Sequence, residues 1–280
     1  MDEVMEIRRS ENIGCAASPV IFRAEGIRKT FQTAAGKQTV LHGVDFSLSE
    51  GEIHGLVGES GCGKSTLLRI FAGLERSDSG RMFLAGKERT KSPADVTNMG
   101  PKKMGRQLQM IFQDPVSSFD PRMTFRKSLD EMQGPDWKIL TKAGGAREKA
   151  ENLHRLLGET GLEEDILDKY PGEVSGGQCQ RAALIRALLQ GTPILLCDEI
   201  TSALDVTVQA SIVRLLKRVQ NERKLSVVFV THDIALACSL CDRISVIRDG
   251  VIVEEGSPDV LIHHPKQEYT RLLIDAAVHY

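Results

Sequence analysis

The sequence predicts an α/β fold: a parallel β-sheet core with an antiparallel β subdomain at its N-terminal end and a helical subdomain inserted into it. Three observations support this prediction. A glycine-rich loop at 58–66 joins a short apolar run to a helical one. Continuous apolar runs at 193–197 and 225–230, typical of buried parallel strands, lie on either side of an amphipathic helix. The segment 125–167 has mostly helical composition.

The length of 280 residues allows one large domain or two smaller ones, and either can bury a core. No internal repeat is visible, so we expect one main domain at 20–255. A loosely held arm at 1–19 precedes it, and a C-terminal tail at 256–280 follows it. The helical subdomain is expected to be inserted at about 114–182.

The individual elements follow the hydrophobic pattern in chain order. Short alternating runs predict antiparallel strands at 21–24 and 40–48, separated by the polar segment 32–39. Further elements are strands at 53–57, 81–86 and 107–112, helices at 64–74 and 206–221, and a hairpin of strands at 244–247 and 251–253. The Asp249–Gly250 pair favours a tight turn in that hairpin.

Composition and charge exclude several classes of protein. Lys and Arg number 36 against 38 Asp and Glu, a formal net charge of −2, so no overall positive field attracts nucleic acid or acidic lipid. No stretch approaches the ~18 uncharged apolar residues of a membrane helix, and the N-terminal residues do not form a signal peptide. We therefore expect a soluble, cytoplasmic protein that does not bind nucleic acid.

A phosphate-binding loop is the most informative motif. It fits the pattern G-x-x-x-x-G-K-[ST] and comprises Gly58, Glu59, Ser60, Gly61, Cys62, Gly63, Lys64, Ser65 and Thr66. Its glycines let successive backbone N–H groups point at an anion, and the following helix adds the positive end of its dipole. Lys64 is expected to reach the β and γ phosphates of a nucleotide, and Ser65 to bind Mg²⁺. The alternative is a glycine-rich turn with a structural role only.

Two adjacent acids follow the apolar run 194–197. A strand of this kind delivers a carboxylate to its C-terminal end, where open parallel sheets bind ligands. Asp198 is expected to hold Mg²⁺ through water, and Glu199 to accept a proton from, or orient, the water that attacks the γ phosphate. The alternative is a pair of solvated acids that caps the next helix.

A second glycine pair lies in Ser175-Gly176-Gly177-Gln178, ahead of a helix predicted at 180–189. Its N–H groups can also face an anion. Because one nucleotide already has its loop at 58–66, a second anion site makes sense if it serves a nucleotide that another subunit holds. The alternative is an ordinary N-capped start of a helix.

The six cysteines show no disulfide framework, and we expect free thiols in a reducing cytosol. Cys238 and Cys241 form a CxxC pair that could bind metal or cycle redox, but we expect them to be buried on one helix face. The thiol of Cys62 lies inside the phosphate loop, which suggests that its alkylation slows hydrolysis of the bound nucleotide. The pair His263–His264 is expected to be solvated rather than to bind metal.

Together these motifs resemble, in order and approximate spacing, the nucleotide-binding subunits of ATP-binding cassette (ABC) transporters. The resemblance covers about 20–276 and rests on the phosphate loop, Gln113 after an apolar strand, V-S-G-G-Q-C-Q-R at 174–181, D-E-I-T-S-A-L-D at 198–205 and Thr231-His232-Asp233. It implies a P-loop NTPase core of the RecA-like type.

The resemblance also implies how the site works. ATP would lie between the phosphate loop of one subunit and the segment 175–178 of another, in a dimer with an identical or a different ATPase subunit. Gln113 would sense Mg²⁺ and the attacking water, and His232 would contact the γ phosphate. Phe31 would stack on adenine, although a core phenylalanine is the alternative there.

Further partners follow from the same resemblance. They are two transmembrane permease subunits, which would place the chain peripherally at the cytoplasmic face of the cell membrane, and an extracytoplasmic solute-binding protein. Two parts of the sequence are similar to segments of the dipeptide, oligopeptide and nickel importer group. The first is 113–123, which begins at the glutamine, and the second is His264-Pro265 with 269–273 in the C-terminal tail. We therefore expect an ATPase that powers the import of peptides, nickel or a related small solute.

Two other functions stay open at this point. A soluble ABC-type ATPase that acts on nucleic acid, the ribosome or an enzyme assembly usually shows two cassettes, a coiled coil, zinc cysteines or a basic face, and none is evident. A scaffold that binds nucleotide without turnover would require a damaged active site. Lys64, Glu199 and His232 are all present.

Overall fold

The computed structural model describes residues 18–34, 36–85, 87–88, 107–131, 146–202 and 204–278. The expected N-terminal arm therefore lies outside the described residues, apart from 18 and 19, and so does much of the segment that follows Gly86. In chain order the described strands are β1 (Val20–Thr33), β2 (Gly36–Ser49), β3 (Ile53–Val57), β4 (Ser79–Leu84), β5 (Lys87–Glu88), β6 (Leu108–Ile111), β7 (Ile194–Asp198), β8 (Ser226–Thr231), β9 (Arg243–Arg248) and β10 (Val251–Gly256).

The described helices are α1 (Lys64–Phe71), α2 (Phe125–Glu131), α3 (Ala146–Thr160), α4 (Gly176–Gln190), α5 (Val206–Arg223), α6 (Ile234–Leu240), α7 (Pro258–His263) and α8 (Glu268–Val278). Short 3-10 turns at Val116–Ser118, Glu164–Asp168 and Pro171–Glu173 join them. The expected helical insertion is confirmed in its described parts, which lie between β6 and β7.

Among the described residues, the central sheet has six strands in the order β10-β9-β3-β8-β7-β6. The strands from β9 to β6 run parallel, and only β10 pairs antiparallel, with β9. The turn between β9 and β10 places Asp249 and Gly250 at positive φ, the backbone that a two-residue hairpin of this kind needs. The parallel core and the final hairpin agree with the sequence prediction.

Both faces of the central sheet are covered. Along β7, Leu195 and Cys197 join a core that includes helices α4 to α6, while Ile194 and Leu196 join a second core with α1 and the N-terminal sheet. The same alternation continues along β8. Burial on both faces explains why these strands read as continuous apolar runs rather than as alternating ones.

The N-terminal sheet has the order β2-β1-β4-β5, with antiparallel neighbours. The structure differs from the prediction at 32–39, because β1 continues to Thr33 and β2 begins already at Gly36. Phe31 pairs with Gln38 there, and Thr33 with Gly36. Backbone hydrogen bonds can hold the exposed end of a hairpin without an apolar face, so this end leaves no alternating pattern in the sequence.

The C-terminal region also differs from the prediction, because it forms helices α7 and α8 where the sequence was read only as a tail. Ser257 caps α7 by accepting the N–H of Val260, and Pro258 occupies the first helical position. The carboxylate of Glu254 on β10 accepts the N–H groups of Lys266 and Gln267, just before α8. A side chain from the sheet thus supplies part of the cap of α8.

A buried histidine ties the two sheets together. His54 on β3 is fully buried, and its ring stacks on Phe46 of β2 with centroids 4.4 Å apart. One ring nitrogen bonds the carbonyl of Ser47 and the other the hydroxyl of Ser245, each at 2.8 Å. Burial lowers the pKa of His54, and the charge of Arg243 lowers it further, against opposing effects of Glu52 and Glu255.

We expect His54 to make folding pH-dependent. Its contribution to the free energy of unfolding is complete above about pH 6.5, where the unfolded histidine is neutral, and is lost as the pH falls toward its lowered folded pKa. His54→Gln should remove this part of the slope, at most about 1.4 kcal/mol per pH unit. Urea unfolding between about pH 7.5 and 5.5 measures the slope. His263→Gln, at an exposed position, is the control, and an unchanged slope in His54→Gln would contradict the assignment.

Candidate functional site

The candidate site lies at the carboxyl ends of four neighbouring parallel strands. β3 leads into the phosphate loop, β8 ends just before His232, β7 ends at Asp198, and β6 ends shortly before Gln113. Because the strands lie in the order β3-β8-β7-β6, these ends meet along one edge of the sheet. The sheet thereby brings together residues that belong to separate sequence motifs.

The phosphate loop has a backbone that glycine alone fits at two positions. Gly63 precedes α1 with φ 105° and offers no side-chain cap, so the first N–H groups of α1 face outward for an anion. A Cβ on Gly63 would lie 2.9 Å from the side chain of Leu41. A Cβ on Gly58 would lie 2.2 Å from the carbonyl oxygen of Ile247. Close packing on its outer side therefore fixes the shape of the loop.

The ammonium group of Lys64 lies inside the curve of this loop. Its Nζ donates to the carbonyl oxygens of Gly58 at 2.6 Å and of Glu59 at 2.7 Å, and Lys64 is only 4% exposed. The same Nζ is 3.9 Å from Oε1 of Glu199. A buried cation ringed by neutral carbonyls and one carboxylate suits an anionic ligand such as a phosphate chain.

Ser65 and Asp198 meet below the loop. The hydroxyl of Ser65 donates to Oδ1 of Asp198 at 2.9 Å, and Asp198 is 2% exposed. Burial raises the pKa of Asp198, while the Ser65 hydrogen bond and the charges of Arg69 and Lys64 work in the opposite direction. A hydroxyl and a carboxylate side by side form a donor set that fits a hard cation such as Mg²⁺. Among the described residues, no group of three or more His, Cys, Asp or Glu side chains has the arrangement of a metal site.

Glu199 is the point on which the other side chains converge. The Nε2 atom of Gln113 donates to its Oε2 at 3.0 Å, and Nδ1 of His232 is 3.9 Å from the same oxygen. The backbone of Glu199 has φ 49°, a left-handed conformation that is strained for a residue other than glycine. Its N–H donates to the carbonyl of Val230, which fixes the carboxylate just beyond the sheet.

The segment 175–178 forms the N-capped start of a helix. Ser175 is the N-cap of α4: its hydroxyl accepts the N–H of Gln178 at 3.2 Å, and Oε1 of Gln178 accepts the N–H of Ser175 at 2.9 Å. The structure corrects the prediction that the glycines precede a helix at 180–189, because Gly176 and Gly177 already form its first turn. Ser175 and Gly176 are exposed, so this N-terminus faces away from the core.

Phe31 lies half-buried on β1, with the Nζ of Lys29 4.8 Å from the centre of its ring. Lys29 in turn bonds Glu75 at 2.5 Å and the carbonyl of Arg76 at 2.7 Å. Phe31 is a member of neither apolar core in the described part of the chain. The core reading of this phenylalanine is therefore wrong.

The cysteines of the described residues are free thiols, as expected. Cys241 is buried at the C-terminal cap of α6, just beyond the helix rather than on it, and burial raises the pKa of its thiol. Burial also raises the pKa of Cys62, whose Sγ lies 3.9 Å from the Nζ of Lys64. These thiols pack as apolar groups, and their burial together with their raised pKa lowers their reactivity. His263 is exposed beside Asp259, and His264 is exposed as well.

Two contacts to the phosphate loop were missed by sequence reasoning. The N–H of Gly250, in the β9–β10 turn, donates to the carbonyl of Cys62 at 3.1 Å. The N–H of Glu59 donates to the hydroxyl of Tyr269 on α8 at 3.0 Å. Neither partner lies near the loop in sequence, so only the fold reveals these two contacts.

A family model described as ABC transporter matches residues 41–202. The oligopeptide transport ATP-binding protein OppF of Escherichia coli (strain K12) is 36% identical over 266 residues, which cover 92% of this chain and 77% of OppF. A putative peptide import ATP-binding protein of Brucella ovis is 37% identical over 262 residues, 91% of this chain and 78% of that protein.

A solved structure of an ATP-binding cassette is similar to this chain as well. A dimeric post-hydrolysis state of the ATP-binding cassette MJ0796, bound to ADP and Pi, superposes with a TM-score of 0.71 at 29% identity. The match covers 85% of this chain and 98% of that one. Within the described residues, no helix combines the length and the apolar character needed to cross a bilayer.

Proposed function

The chain belongs to the ABC transporter family and is one of its ATPases, and from this premise we propose that it powers the import of peptides through a transmembrane permease. Both relatives described above are named for peptide transport, which favours peptides over the nickel that the sequence left open. The proposal includes two permease subunits, an extracytoplasmic solute-binding protein and a position at the cytoplasmic face of the membrane. The ATPase domain would span 20–255, with the helical subdomain at about 114–182.

The observation that carries the catalytic part is the convergence of Gln113, His232 and Lys64 on Glu199. A carboxylate in this position can accept a proton from the attacking water, while Gln113 orients that water and His232 contacts the γ phosphate. Lys64 would neutralise charge on the β and γ phosphates from inside the loop. Strain at Glu199 supports this role, since strained backbone clusters at active sites.

Ser65 and Asp198 are proposed to hold Mg²⁺, with Gln113 nearby as a further oxygen donor. When bound, the ion supplies positive charge at the β and γ phosphate oxygens. The protein holds the hydroxyl of Ser65 and the carboxylate of Asp198 2.9 Å apart, and Asp198 is only 2% exposed. Phe31 is proposed to stack on the adenine ring, because its half-buried ring lies outside both cores.

The segment 175–178 is proposed to bind the γ phosphate of an ATP held by a second ATPase subunit, identical or different. Its capped, exposed helix N-terminus has the positive dipole and the free N–H groups that attract an anion. Two subunits would then enclose two nucleotides in a head-to-tail pair. The dimeric state of the solved relative supports this arrangement.

Glu199→Gln tests the catalytic role. The amide keeps the shape and the hydrogen bond to Gln113 but cannot accept a proton, so we expect the turnover number for ATP to fall by roughly 10²–10⁴. ATP should still bind and should drive the variant into a stable dimer. Phosphate release and light scattering measure the two effects. Glu163→Gln, an exposed acid in the helical subdomain, is the control. Turnover at the wild-type rate in Glu199→Gln would contradict the assignment.

Ser175→Asp separates the capping role of Ser175 from its role across the dimer interface. Aspartate is as good an N-cap as serine, so thermal stability should change by less than about 0.5 kcal/mol. Its negative charge would repel the γ phosphate of the partner's ATP, so ATP-driven dimerisation in the Glu199→Gln background should be lost. Ser175→Asn is the neutral control. Dimerisation of Ser175→Asp at the level of Ser175→Asn would argue against the proposed contact.

Uptake in the native organism tests the transported solute. Deletion of the gene that encodes this chain should abolish the ATP-dependent uptake of a radiolabelled oligopeptide, and expression of the wild-type chain should restore it. Lys64→Ala should fold but fail to restore uptake, because the phosphate chain loses its buried cation. Uptake of ⁶³Ni²⁺ should be unaffected by the deletion. Loss of nickel uptake with intact peptide uptake would reverse the choice of solute.

A further inference from the structure

We propose that Tyr269 is a positioning residue of the nucleotide site, whose hydroxyl holds the phosphate loop in its ATP-binding conformation and so makes helix α8 part of that site. The inference rests on the proposed function only in assuming that the phosphate loop binds ATP. It concerns a contact outside the sequence motifs of the loop, and it joins residues 210 positions apart.

The contact acts on one peptide group. The carbonyl oxygen of Gly58 accepts from the Nζ of Lys64 at 2.6 Å, and the N–H of Glu59, in the same peptide group, donates to Tyr269 at 3.0 Å. A trans peptide points its C=O and N–H in opposite directions within one plane. Lys64 and Tyr269 therefore hydrogen-bond to opposite sides of this peptide group, Lys64 from inside the loop and Tyr269 from outside.

The hydroxyl is itself held firmly. Tyr269 is 7% exposed and belongs to the larger apolar core, and the guanidinium of Arg248 lies 4.8 Å from the centre of its ring. Glu254 fixes the chain just before α8 through the N–H groups of Lys266 and Gln267. Burial raises the pKa of Tyr269, so its hydroxyl stays protonated. The last two strands and α8 thus form a rigid frame that aims the hydroxyl at the loop.

Loss of the hydroxyl would leave the N–H of Glu59 without its partner in a partly buried position. The peptide plane could then rotate, and rotation would take the carbonyl of Gly58 away from Lys64. Only the fraction of molecules with the native plane would bind ATP, so the apparent Kd would rise by the inverse of that fraction. The hydrogen bond of the hydroxyl goes to the loop and not to Glu199, Gln113 or His232, so turnover at saturating ATP should be preserved.

Tyr269→Phe is the test, since it removes the hydroxyl and keeps the ring under Arg248. We expect the Kd for ATP, measured with a fluorescent ATP analogue, and the KM for ATP to rise roughly two- to tenfold, while kcat stays within about twofold of wild type. Hydrogen exchange should become faster in the peptide that contains residues 58–62. Tyr170→Phe, the same substitution at an exposed tyrosine, is the matched control and should change none of these.

A purely structural role for Tyr269 would give a different pattern. It would lower kcat and the thermal midpoint of the nucleotide-free protein and leave KM unchanged, because fewer molecules would be folded but each would bind ATP normally. That pattern in Tyr269→Phe would overturn the proposal. So would a Kd for ATP equal to that of the wild type together with unchanged hydrogen exchange in residues 58–62. Failure of the wild-type chain to bind ATP would instead overturn the proposed function, so the two failures are distinguishable.

Discussion

The buried ammonium of Lys64 is the interaction on which the rest of the site depends. A cation removed from water is costly unless neighbouring groups replace its hydration, and here two loop carbonyls and the more distant carboxylate of Glu199 do so. Those carbonyls can face inward only because glycine allows the loop to press against Ile247 and Leu41. The stability of the buried Lys64 ammonium therefore depends on the shape of the loop, on the β9–β10 hairpin that packs behind it and on the position of Glu199.

The parallel sheet positions the other side chains of the site around Lys64. Four strands in the order β3-β8-β7-β6 deliver the loop, His232, the two acids and Gln113 to the same edge, although these residues are far apart in the chain. Both faces of the sheet are buried, so a one-residue slip in register would move each side chain of a strand into the opposite core, where the neighbouring side chains pack against a different residue. Packing far from the site thus sets distances of a few ångström within it.

The sequence predicted the parts of the molecule whose chemistry is local. The phosphate loop, the two acids at the end of β7 and the Asp249–Gly250 turn each need particular residue types at fixed spacing, and all three fold as expected. The polar end of the first hairpin was not predictable, because backbone pairing holds it. Helix α8 was missed because part of its cap comes from Glu254 on a strand rather than from its own sequence. The partners of His54 and of Glu59 come from distant elements, and no local pattern records such contacts.

The position of β3 in the sheet has a consequence for biosynthesis. This strand, which carries the phosphate loop, lies between β8 and β9, and both of its neighbours are translated long after it. The first hairpin of β1 and β2 closes over a short length of chain, whereas β3 has no partner within the central sheet until β8 has left the ribosome. The strand that carries the phosphate loop therefore gains its partners in the central sheet only late in translation.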